Sequence, residues 1–300
     1  MTARGLTLSA LPFLPGLFPA ADSLEQPKIS LAQWSLHQAF HRHELRVEDF
    51  PILARQSFGI EAIEYVNSFY VDHSQDESFW HDLKRKADAE GVRSLLIMVD
   101  EEGDLGDPIE RRRQRAVENH FKWVNAAKIL GCHSIRVNAF GDGEKDEVQK
   151  ALVDGMGALA AYAAGEGIHV LIENHGLYSS DAAWVVEVIR QVDAPNLGTL
   201  PDFGNWCMGE EWGSTQDDAC TPVYDRYEGV RAFLPYAKGV SAKSYDFDQQ
   251  GRETRIDYPR MLQLVKESGF DGYIGIEYEG NRLSESEGIQ ATMKLLQDSW

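Results

Sequence analysis

From Lys28 to the C-terminus, short apolar runs alternate with longer stretches of helical spacing, and the alternation occurs eight times. The apolar runs cover residues 28–34, 60–66, 94–99, 134–138, 169–173, 196–202, 238–243 and 272–277. The intervening segments 44–58, 78–90, 108–130, 146–165, 181–192, 226–236, 258–268 and 288–300 read as helices. Gly59, Gly91, Gly131 and Gly165 stand where helices stop, and Pro51 and Pro108 where they begin. Ser180 or Asp181 is placed to cap the sixth unit, and Ser284 or Ser286 the last. Strands spaced this way around helices build βαβ units and a parallel sheet. Eight such units with no linker predict an α/β fold, one (β/α)₈ barrel over residues 28–300. A doubly wound sheet is the second choice. It is weakened because no Gly-x-Gly-x-x-Gly turn follows the first strand.

The apolar runs end on polar groups. Val170-Leu171-Ile172 runs into Glu173, Asn174 and His175; Thr199-Leu200-Pro201 ends on Asp202; Ile274-Gly275-Ile276 ends on Glu277. In a parallel barrel these tips share one mouth. Three carboxylates in a water-poor cleft raise one another's pKa and call for compensation. A divalent cation bound by Glu173, Asp202 and Glu277 supplies it, and all-oxygen ligation suits Mg²⁺ or Mn²⁺, whereas an added imidazole favours Mn²⁺, Co²⁺ or Zn²⁺. Ion pairing with Arg136 or Lys243 is the alternative. His175 is open to three roles: ligand, substrate contact or general acid/base. Arg136 and Asn138 lie on one face of strand four at i and i+2. Lys243, at the end of strand seven, is either a carboxylate partner or a cation that stabilises an enolate. Trp34, Trp206, Trp212 and Tyr245 are candidate aromatic walls for a sugar ring, with ordinary packing as the plainer alternative.

The formal net charge of −19 argues against a nucleic-acid partner, which needs a clustered cationic face. No stretch approaches the roughly 20 apolar residues that span a bilayer. Residues 1–27 read as a signal-like or disordered segment: Arg4 precedes an apolar stretch that ends in small residues, interrupted by Pro12, Pro15 and Pro19. Export to the periplasm or outside follows if it is a signal peptide, and a cytoplasmic protein otherwise. Cys207 and Cys220 share one long loop and are open to pairing or to remaining free thiols, while Cys132 reads as a buried apolar residue.

Taken together, Leu171-Ile-Glu173-Asn-His-Gly, Asp202-Phe-Gly-Asn205, Gly239-Val-Ser-Ala-Lys243 and Ile276-Glu277-Tyr-Glu-Gly resemble the xylose isomerase-like TIM-barrel superfamily. The resemblance runs from about Lys28 to Trp300. It implies a divalent metal held at the ends of strands five to eight, with the ligands matched by Glu173, Asp202 and Glu277. It also implies that the two glutamates act as an acid/base pair beside a carbonyl. Trp34, Arg136, Asn138, Asn205, Trp206 and Tyr245 are the candidate substrate-binding residues. The chain departs from the pattern at strand seven. Ser241, a poor metal ligand, stands where the resemblance implies a histidine. His175, Asp246 or water is left to fill that position; otherwise the site works without metal and Lys243 reaches in.

The expected function is a sugar or sugar-phosphate isomerase or epimerase that moves a proton next to a carbonyl. The alternatives are a lyase or dehydratase on a keto-sugar or cyclitol, and a non-catalytic carbohydrate-binding barrel. A small-molecule carbohydrate is the expected partner, and a homo-oligomer is left open.

Overall fold

The protein is described by a computed structural model over residues 26–217 and 219–300. All but the last two residues of the signal-like segment therefore lie outside the described residues. Eight strands run β1 Ile29–Ala32, β2 Ala62–Val66, β3 Arg93–Val99, β4 Ser134–Val137, β5 His169–Glu173, β6 Leu197–Leu200, β7 Val240–Ser244 and β8 Ile274–Tyr278. Every pairing is parallel, in the order β6-β5-β4-β3-β2-β1-β8-β7. Because β1 pairs with both β2 and β8, the sheet curls into a barrel and the doubly wound alternative falls.

The barrel closes at a thin seam. β6 and β7 meet only through isolated bridges, Thr199 with Ala237 and Asp202 with Ser241. The sequence extends strand six to residue 202, yet the ladder stops at Leu200. Pro201 is the reason, since it has no N–H to donate. Its carbonyl still accepts from Ser241 N at 2.9 Å, and Phe203 N donates to Ser241 O at 3.0 Å. The backbone thus hands Asp202 and Ser241 to each other.

The helices are α1 His37–His41, α2 Phe50–Phe58, α3 Glu77–Glu90, α4 Glu110–Leu130, α5 Lys145–Gly165, α6 Ala182–Val192, α7 Arg226–Phe233, α8 Tyr258–Glu267 and α9 Glu285–Ser299. Capping decides several starts. Asp181 accepts from Trp184 N at the head of α6, and Ser284 forms a capping box with Glu287 at α9, three residues earlier than the apolar spacing indicates. α2 starts at Phe50 rather than at residue 44, with Val47–Asp49 forming a 3-10 turn before it.

Apolar side chains divide between two layers. Leu31, Ile63, Ile97, Ile135, Val170, Ile172 and Val240 face outward under the helices. Ala32, Val66, Leu96, Met98, Leu171 and Leu200 form a smaller cluster inside the barrel. Above that plug the interior turns polar, which is where the site begins.

Candidate active site

Glu173 ends β5, Asp202 follows β6 and Glu277 lies in β8. One carboxylate oxygen from each lies within 4.8 Å of the others, and all three residues are buried. Each carboxylate is oriented by neighbours. Asp202 Oδ1 accepts from Gly204 N at 2.7 Å and Asn205 N at 2.8 Å. Asn174 clamps the following turn: its amide donates to the Asp202 and Asn205 carbonyls at 3.1 Å each, and its oxygen accepts from Asp202 N at 2.8 Å. Asn205 Nδ2 reaches Glu173 Oε1 at 3.4 Å.

Ser241 stands among the carboxylates. Its Oγ bonds to Asp202 Oδ2 and lies 3.1 Å from Glu277 Oε2. A hydroxyl has one proton and so donates to only one of them. The second contact requires a shared proton or a cation.

Two cations serve this end of the barrel. Arg136, on β4, places Nε 2.7 Å from Glu173 Oε2 and Nη1 2.5 Å from Asp100 Oδ1. The first contact is close but misaligned, so Arg136 Nε and Glu173 Oε2 are both left without a hydrogen bond. Asn138 donates to Asp100 Oδ1 at 2.7 Å, and its oxygen lies 2.8 Å from His175 Nδ1. Lys243, on β7, lies 2.8 Å from Glu277 Oε1 and 3.0 Å from Glu279 Oε2. Glu279 in turn accepts from the Trp34 indole at the cavity mouth.

Burial sets the electrostatics. It pushes the Glu173 carboxyl well above the ordinary carboxylate range against the pull of Arg136, and pushes Asp202 up to about 7 against Lys243. Burial would also discharge Lys243, but Glu277, Glu279 and Asp202 outweigh it and hold the ammonium well above its usual range. Burial, with Arg136 next, drives His175 well below its ordinary value, so the imidazole is neutral. Five carboxylates (Asp100, Glu173, Asp202, Glu277 and Glu279) thus meet only two fixed cations, Arg136 and Lys243. The surplus of carboxyl groups over cations, the partnerless Glu173 Oε2 and the oxygen-only donor set fit a hard divalent cation shared by Glu173, Asp202 and Glu277.

These groups open on a cavity of about 400 Å³. Trp34, Val66, Met98 and Trp212 supply its apolar walls, and Asn205, Ser214 and His175 its neutral polar groups. Gly176 makes the His175 wall possible. Its φ is +99°, and a Cβ there would meet Glu210 O at 2.3 Å. The loop after β6 therefore closes down and brings Trp212 edge-on to His175, ring centroids 5.0 Å apart.

Of the residues expected in the site, Trp34, Arg136, His175, Asn205, Lys243 and Glu277 border this cavity. Asn138 borders an adjoining one and acts on His175 and Asp100. Trp206 and Tyr245 do not line the cavity, contrary to expectation. Trp206 is fully buried against Phe233 and Tyr224, with its ring where a Cβ on Gly229 of α7 would sit. Tyr245 is fully buried with its hydroxyl against Gly204 O and Thr215 N. Both side chains fasten the loop after β6. Asp246, another candidate for the vacant ligand position, faces Arg282 at 3.4 Å. Cys207 and Cys220 form a disulfide across this same loop, and Cys132 is buried and free. Asp100 and Glu279 were overlooked as site residues. Asp100 directly follows the apolar run of β3, the same signal that marks Glu173, and Glu279 lies one pleat beyond Glu277.

Comparison with known proteins decides the family. A family model described as "Xylose isomerase-like TIM barrel" matches residues 53–299. The chain belongs to this family. It is 21% identical to the 3'-dehydrocarminate deglycosidase alpha subunit of Microbacterium sp, across 86% of this chain and 90% of that protein. Its fold is that of D-psicose 3-epimerase from Clostridium cellulolyticum H10, with a TM-score of 0.66, 14% identity and coverage of 91% and 96% of the two chains. A structure of the IOLI protein with a bound zinc atom superposes with a TM-score of 0.67 at 16% identity, covering 91% and 97%. Its relatives in sequence or fold thus include a sugar epimerase and a deglycosidase subunit, and one of them holds zinc.

Proposed function

We propose that the protein is an isomerase or epimerase of a neutral sugar, working by proton transfer next to a carbonyl. The observation that carries this reading is the buried Glu173–Asp202–Glu277 set, of which Glu277 lines an aromatic-walled cavity. Glu277 is held between Lys243 and Ser241 and takes the proton from the carbon beside the carbonyl. Glu173, whose carboxyl burial pushes well above the ordinary range, returns one. Lys243 keeps its charge and offsets the negative charge that proton removal creates. A divalent ion on Glu173, Asp202 and Glu277, when bound, adds Lewis-acid charge at the same place.

A neutral sugar is favoured over a sugar phosphate by charge. Among the described residues, Arg136 and Lys243 are the only Arg or Lys side chains on the cavity wall, and each is held by two carboxylates. Asp100, Glu101, Glu277 and Glu279 also line the wall and would repel a phosphate. Among the described residues no helix is long and apolar enough to cross a membrane.

The test is exchange of carbon-bound hydrogen. Keto-hexoses such as D-psicose and D-tagatose, incubated with the protein in D₂O, take up deuterium beside the carbonyl if the reading holds. Absence of exchange across such a panel would overturn the isomerase reading. A second reading, elimination from a keto-glycoside, is favoured by similarity to a deglycosidase over 86% of the chain. Product mass separates the two, since elimination splits the substrate and isomerisation leaves its mass unchanged.

A further inference from the structure

The carboxylate cavity continues beyond the barrel mouth. His41 and Ser68 line it and also line a second cavity of about 360 Å³. This side groove lies between α1 and the 3-10 segment Asn67–His73. Phe40, Phe69 and Val71 give it apolar walls, His43 and His73 add rings, and no Lys or Arg lines it. Aromatic surface joins the two spaces. The Trp34 ring centroid lies 6.1 Å from that of Phe69 and 6.0 Å from that of His41, and His41 is 5.3 Å from Phe69.

Two features of the groove have no role in folding. Val71 is 61% exposed, the highest value for a large hydrophobic among the described residues. Ser68 Oγ, at the junction, is buried and has no hydrogen-bond partner. An unpaired buried hydroxyl is costly, so a ligand oxygen placed there is rewarded.

We infer that the side groove is a subsite for a flat, apolar substituent carried by the sugar, with Ser68 Oγ bonded to the oxygen that links the two. The ligand class is an aryl glycoside: a neutral ring among the carboxylates and an aromatic group against Phe69 and Val71. The inference rests on the sugar reading of the main cavity.

Calorimetric titration of the full chain with methyl β-D-glucoside and phenyl β-D-glucoside tests it. The phenyl compound is expected to bind about tenfold tighter. Val71→Asp, at an exposed position, should bring the phenyl-to-methyl ratio down to about one. Ser68→Ala should weaken both glucosides relative to the free keto-hexose D-tagatose. Equal binding of the two glucosides, or a phenyl advantage that survives Val71→Asp, overturns the subsite. If keto-hexoses exchange their proton while the phenyl group gives no gain, only the subsite falls. If no sugar of either set binds or exchanges, the sugar reading falls and the subsite with it.

Discussion

The two cations of the site do different work. Arg136 lies in a closed network: Asp100, Asn138 and His175 bond to one another around it, and Glu173 closes the other side. Lys243 lies in an open chain that runs from Ser241 and Glu277 to Glu279 and out to Trp34 at the mouth. A guanidinium with its planar fork holds a geometry, whereas an ammonium is a compact charge on a flexible stem. The Arg136 half is therefore the stiffer of the two, and the Lys243 half holds Glu277, the base of the proposed mechanism.

The largest expected effect is on the Lys243 side. Glu277→Gln should cost about 10³-fold or more in proton exchange, since the base is gone. Its melting temperature should stay close to wild type. Exchange retained in this variant would remove Glu277 from the chemistry.

The next effect separates the two halves directly. Arg136→Leu strands Asp100 and Glu173 in a buried setting and should cost about 3–5 kcal/mol in denaturant unfolding. Lys243→Met should cost less stability, because the Glu279 side chain is 21% exposed and is solvated in part, but should remove most activity. Equal stability losses would erase the distinction drawn above.

The loop after β6 touches both halves: Asn205 reaches Glu173 and Trp212 packs on His175, while Gln216 Nε2 donates to Glu279 O at 3.5 Å. The Cys207–Cys220 disulfide closes it over a sequence separation of 13. Cys220→Ser should lower stability by about 2–3 kcal/mol and raise KM more than it lowers kcat. An unchanged melting curve and KM would show that Trp206 and Tyr245 hold the loop by themselves.

Glu64, on β2 inside the barrel, makes no ion pair among the described residues. Ser30 Oγ donates to it at 2.6 Å, its other oxygen has no partner, and it packs where a Cβ on Gly275 would sit. Burial pushes its pKa up to about 7. The sign follows from proton binding: the folded state holds a proton that the unfolded state releases above about 4.5, so stability falls as pH rises from there to about 7. Glu64→Gln should match wild type near pH 5 and exceed it by about 1–3 kcal/mol at pH 8. A gap that does not change with pH would refute this.

The smallest effect concerns the seam. Ser241→His supplies the ligand expected from the family pattern and should tighten Mn²⁺ binding by about tenfold, or 1.4 kcal/mol, in a titration of chelated protein. No gain in affinity would mean that the β6–β7 seam cannot turn an imidazole inward.

Much of this was legible beforehand. The short apolar runs and glycine stops located all eight strands, because local burial and backbone freedom decide where a strand or helix can exist. Glu173, Asp202 and Glu277 were legible because a barrel brings every strand end to one mouth. Trp206 and Tyr245 were misread as cavity walls. Both sit near strand ends, and only the path of the loop after β6 determines which side of it they pack on.

By itself the sequence determined the barrel, the acid-rich mouth and the missing strand-seven histidine. These follow from residue type and order along a repeating unit. Tertiary structure decided how Ser241 bridges two carboxylates, how Arg136 and Lys243 divide the acids between them, and where the side groove opens. Those outcomes depend on distances between residues about 30 or more positions apart, which the folded backbone sets and the local sequence does not.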